Sequence, residues 1–201
     1  MRWDNLFDDL EGQLEQELSA EDLDVRAEEE RLRLGRLSLR DRIVAVHELQ
    51  GRDDVAGIRM FLADGTPLRL RPQTFGRDWF SADLLDESAR KTQVIVPLAS
   101  IGSVVFSRPQ AVASLTATPS ELSQTSLPAR LTMSFVLRDL CRRRAALEVR
   151  TAIGPLFGTI DRVGRDHLDL AVHEPGEARR ESAVRESRAI PLVQVLLITL
   201  R

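Results

Sequence analysis

Tyrosine is absent from this chain of 201 residues, and aromatic residues make up only 4% of it. That is poor material for a platform on which nucleic-acid bases could stack. There is one cysteine, Cys141, which excludes an internal disulfide and any cysteine-based zinc cluster. No run of about 18 apolar residues occurs, so no helical membrane span is expected. The first residues, Met1-Arg2-Trp3-Asp4, lack the basic start and apolar stretch of a secretory signal. These absences point to a cytoplasmic protein that does not enter membranes. Lysine is nearly missing too, with Lys91 alone among 28 basic residues, a bias read as codon usage rather than chemistry.

What is present is a sequence that repeats itself. Pro67-Leu68 is followed, after seven residues, by Gly76-Arg77-Asp78, and Pro155-Leu156 by Gly164-Arg165-Asp166 at the same spacing. Leu39-Arg40-Asp41 is answered by Leu137-Arg138-Asp139, and Val96-Pro97-Leu98 by Ile190-Pro191-Leu192. Four blocks in one order imply two copies of a small domain. The expected organisation is an acidic amphipathic helical segment over 1–37, copy one over 38–106, a flexible linker over 107–130 and copy two over 131–201. Residues 1–35 carry 12 acids against 4 arginines, a net of −8, whereas the rest of the chain carries +5.

Periodicity fills in the copies. Trp3, Phe7, Leu10, Leu14 and Leu18 form a helical apolar stripe. A capping box at Ser19 and Asp22 starts a second helix, which Gly35 ends. Leu39, Ile43, Val46 and Leu49 suit a helix. Ile58, Met60 and Leu62 then alternate with polar or outward residues as a half-buried strand does. Asp64-Gly65 signals a hairpin, and strands are expected around Leu68–Leu70, Phe80–Leu84, Gln93–Val96 and Ile101–Phe106. In copy two the helical stripe is read as Leu131, Phe135, Val136 and Leu140. The run Val195-Leu196-Leu197-Ile198 is apolar on both sides and should be buried on both faces. It is expected to hold the two copies together as an intramolecular pair.

A helix followed by five short strands, with a Gly turn after the first and a Gly/Asp turn after the second, resembles the Sm-like small barrel within the SH3-like class. The whole chain also resembles uncharacterised proteins of high-GC Gram-positive bacteria. The resemblance implies a mainly β fold with helices: two tandem small barrels, each preceded by a helix. In Sm proteins an Asp turn with a following Asn, and an Arg-Gly element near the end, build a nucleotide pocket. Here the turn aspartates are Asp78 and Asp166, but Ser81 and Asp169 stand at the Asn position. Pro97-Leu98 and Pro191-Leu192 replace the Arg-Gly pair. The chain departs from the family where the family reads RNA.

Neither catalytic, cofactor nor metal residues are expected, because His47, His167 and His173 sit in no metal or nucleophile motif. Cys141, before Arg142-Arg143-Arg144, reads as a packed thiol. The favoured function is a non-enzymatic adaptor that binds a protein partner, with Trp3, Phe7, Leu10 and Leu14 as the docking stripe. The alternative is non-specific RNA or DNA binding through outward arginines. Arg69 and Arg71, outward by alternation, form one such patch with Arg77 and Trp79, and Arg138, Arg142, Arg143 and Arg144 form another at the end of the second copy's helix.

Overall fold

The computed structural model of the chain describes residues 23–50, 57–85, 92–116, 127–176 and 179–200. The chain divides into two compact units between Arg42 and Ile43. In the smaller, helix α1 covers residues 23–36, running through Gly35 rather than stopping at it. It carries the ion pairs Arg31–Glu28 and Arg33–Glu30 one turn apart, at 2.7 and 2.6 Å. Helix α2 (Leu39–Gln50) starts at a reciprocal cap. The Ser38 hydroxyl accepts from the Asp41 N–H at 3.1 Å, and the Asp41 carboxylate accepts from the Ser38 N–H at 3.1 Å. The stripe Trp3, Phe7, Leu10 and Leu14 lies outside the described residues.

The larger unit is built on ten antiparallel strands. They are β1 (Ile58–Leu62), β2 (Pro67–Phe75), β3 (Trp79–Leu84), β4 (Thr92–Pro97) and β5 (Ile101–Val105), then β6 (Ala146–Thr151), β7 (Gly154–Val163), β8 (His167–Val172), β9 (Glu186–Pro191) and β10 (Val195–Leu200). The order across the sheet is β5-β1-β2-β3-β4-β10-β6-β7-β8-β9. Each half therefore has the same internal order, its last strand swung round beside its first. The mainly β class with helices is as expected. The strands, however, run on as one open sheet ending at β5 and β9, rather than as two closed barrels.

The halves join at β4 and β10. Ile198 faces Ile95 and Thr199 faces Val94, while the other edge of β10 pairs with β6. Alternation at this junction divides side chains between two cores. Val94 and Val96 enter a first core with Ile43, Val44, Val46, Ile58, Met60, Leu70 and Phe80. Ile95 enters a second core with Leu137, Leu147, Val149, Ile160, Leu168 and Leu170. Strand β10 contributes to both: Leu196 and Leu197 join the first core, and Val195 and Ile198 the second. A register shift between Val195 and Leu197 lets two successive leucines face the same core.

Among the described residues of the stretch read as a linker are the helices α3 (Arg108–Thr116) and α4 (Leu127–Arg130). Ser107 and Gln110 form a reciprocal cap that starts α3, with the Ser107 N–H donating to Gln110 Oε1 at 2.8 Å. Helix α5 (Met133–Arg142) follows. It buries Met133 and Leu137 rather than Phe135, which is 54% exposed. The expected stripe is displaced because Leu131 lies before the helix begins. Among the described residues no helix is long and apolar enough to cross a membrane.

Candidate interaction surface

The first arginine patch does not assemble around an aromatic. Arg69 and Arg77 are exposed and Arg71 is half-buried. Trp79, expected on the outside, is 6% exposed and packs in the second core. The turn at Gly76 explains this. Gly76 N–H donates to the Trp79 carbonyl at 2.8 Å, and the indole folds back over Gly76 so closely that a Cβ there would lie 2.1 Å from Trp79 Nε1. The indole N–H then donates to the Leu131 carbonyl at 3.0 Å. The face of Trp79 is spent on packing and cannot stack a base.

The second patch does come together. Arg138, Arg142, Arg143 and Arg144 are all exposed at the end of α5. Arg144, at φ 50°, takes the left-handed conformation that ends the helix, and Ala145 N–H closes it onto the Leu140 carbonyl at 3.1 Å. Asp139 lies between them. It pairs with Arg142 and, at 2.7 Å, with Arg143, and the hydrogen bond from Arg142 holds its carboxyl below the usual range. Arg138 donates to the Gly164 carbonyl at 3.4 Å. The cluster is a solvated, partly neutralised patch.

The two turn aspartates have different partners. Asp78 accepts from the Met133 N–H at 2.8 Å and so caps α5, whose own flanking residue Thr132 makes no side-chain cap. A carboxylate from the first half thus meets the helix start of the second. Asp78→Ala is expected to remove about 1 kcal/mol, within the range for a lost helix cap. Denaturant unfolding of the variant would check this, and an unchanged midpoint would refute it. Asp166, the counterpart in the second half, caps no helix among the described residues and bonds its neighbour His167 at 2.8 Å. That bond pushes the His167 imidazole up and draws the Asp166 carboxyl down. A raised imidazole is stabilised in its charged form, so any contribution to stability is full at acid pH and is lost as pH rises through the folded value. Proton NMR should find His167 titrating above the ordinary imidazole range, and Asp166→Asn should bring it back. An unshifted titration in the parent chain would contradict the pairing.

The other chemistry-bearing side chains are occupied structurally. His173 is 2% exposed. Its Nδ1 donates to the Glu174 carbonyl at 3.0 Å, leaving Nε2 to accept from the Thr159 hydroxyl at 2.9 Å. Cys141 Sγ donates to the Asp161 carbonyl at 3.3 Å. Among the described residues no group of three or more His, Cys, Asp or Glu comes together.

The feature that sequence reading missed is a groove of about 400 Å³ beside β9. Thr151, Ile153 and Leu156 form one wall, and Arg188, Ile190 and Pro191 the other. Two of its polar groups are already engaged: the Thr151 hydroxyl donates to the Gly154 carbonyl at 2.9 Å, and Arg188 pairs with Glu186 at 2.6 Å. Ile153, at the tip of the β6–β7 turn, is 86% exposed. An isoleucine at a turn tip, where the first half has Gly65, was the available signal. The groove offers apolar contact next to a strand edge that no other described strand pairs with. The chain has no significant match to any family model, curated protein or solved structure, so this geometry carries the functional argument by itself.

Proposed function

We propose that the chain is a non-enzymatic, cytoplasmic adaptor that binds a protein partner, built from a duplicated five-stranded unit related to the Sm-like and SH3-like small barrels. The repeated strand order of the two halves supports the duplication, and the single cysteine supports the compartment. The observation that carries the reading is the groove beside β9, where an exposed sheet edge and an apolar cavity adjoin. Edges of this kind recognise extended peptides, with main-chain bonds giving affinity and pockets giving specificity.

The second reading, non-specific RNA or DNA binding, rests on Arg138, Arg142, Arg143 and Arg144 at one helix end. It is the weaker, because Asp139 pairs with two of those arginines and offsets part of their charge, and Trp79 is buried. A photo-crosslinking residue at position 153, and another at 142, separates the two in a lysate of the source organism. The adaptor reading expects protein adducts at 153 that persist as salt rises. Nuclease-sensitive adducts at 142 that vanish with salt would favour nucleic acid, and the absence of protein adducts at 153 would overturn the adaptor reading.

A further inference from the structure

The internal junction shows what such a groove holds. By the sequence repeat, Thr151, Ile153 and Leu156 correspond to Ala63, Gly65 and Leu68, and Arg188, Ile190 and Pro191 to Val94, Val96 and Pro97. In the first half this place is filled. Strand β10 pairs with β4, and Leu196 and Leu197 sink into the first core. The Ser100 hydroxyl donates to the Leu196 carbonyl at 2.8 Å, and Arg150 reaches across to Asp64 at 3.0 Å. The equivalent place in the second half is the groove beside β9, and among the described residues no strand pairs with that edge.

The chain's own first half is a poor occupant. Its equivalent of β10 is β5, and Gly102 and Ser103 stand where Leu196 and Leu197 reach inward. Both are exposed and bring no apolar side chain to fill the cavity. The cap tells the same story. Helix α5 relies on Asp78 for its N-terminus, whereas α2 supplies its own cap through Ser38 and Asp41. A second copy docking in the manner of the internal junction would fill neither the groove nor the Asp166 position.

Resting on the adaptor reading, we infer that the β9 edge and its groove bind an extended segment of another protein, antiparallel to β9, with two adjacent aliphatic residues seated as Leu196 and Leu197 are. The main chain of that segment adds an eleventh strand, and the aliphatic pair fills the cavity between Ile153 and Ile190.

The probe is a synthetic peptide carrying the sequence of residues 194–200 between lysine pairs, titrated against the full chain by fluorescence anisotropy. Binding is expected at micromolar concentration, on the order of 1–100 µM. A peptide with Gly-Ser in place of the Leu-Leu pair should bind at least about tenfold more weakly. Ile153→Asp and Ala189→Trp, both at exposed positions, should each weaken binding to the same degree with the thermal unfolding of the chain unchanged. Equal binding by both peptides would overturn the inference. So would binding indifferent to both variants, since the peptide would then be exchanging into the β4 junction. Self-association of the chain in sedimentation, abolished by Ile153→Asp, would overturn it in favour of a second copy. Protein adducts at position 153 without peptide binding would sink this inference and leave the adaptor reading standing.

Discussion

Trp79→Ala is expected to destabilise the larger unit by roughly 3–5 kcal/mol, the range for deleting a buried tryptophan side chain. For a unit of this size that corresponds to a fall in Tm on the order of 10 °C. The reason is its position across the junction. The side chain belongs to a strand of the first half, yet it packs in the second core with Met133, Leu137 and Val195. Its removal leaves a void there and takes one donor from the Leu131 carbonyl, which keeps the Arg77 N–H at 2.9 Å. The partial rescue of that carbonyl makes cavity formation the main loss. Calorimetry of the variant should show one transition moved down, because both cores share β10. A loss below 1 kcal/mol, or a separate early transition for one half, would contradict this account.

Ile198→Asp should do more, with an expected loss of about 4 kcal/mol or greater, since it buries a carboxylate that has no partner. Ile198 has no exposed surface and sits between Ile95 of β4 and Val149 of β6. A charge there lies inside the sheet at the seam of the halves, with no edge by which water could reach it. Ile198→Val, which removes one methylene, provides the control at about 0.5–1.5 kcal/mol. Expression in inclusion bodies, or a denaturant midpoint moved to near zero, is the expected result for the aspartate. A soluble variant with a near-parent midpoint would mean that β10 does not lie in the seam.

How much was legible in the sequence differs element by element. The strands were, because alternation in Ile58–Leu62 and Leu168–Val172 reports a pleated surface with one dry side. Alternation also put Trp79 and Phe80 on opposite faces of β3, correctly. It cannot say what covers the second face, and here that cover is the other half of the chain rather than water. Helix α3 inside the supposed linker was legible and missed: the Ser107/Gln110 box that starts it is a sequence-level signal. The groove was out of reach. Its walls come from residues near 152 and near 190, and only the pairing of β6 to β10 and of β8 to β9 brings them within reach of each other. Of the expected site residues, the helix-end arginines are together, while the Trp79 patch is taken apart by the turn at Gly76.

The placement of β10 also sets a timetable for biogenesis. The first core contains Leu196 and Leu197, made about a hundred residues after the strand they rest on. A ribosome adding roughly 5–20 residues per second leaves the growing chain for several seconds with β4 unpaired on one edge and its core open. Pairing across such a separation carries a loop-closure penalty and is slow to form. During that interval the nascent chain presents the apolar run Val94-Ile95-Val96 to whatever is nearby, and the yield of folded protein depends on holding that edge apart until the last strand arrives.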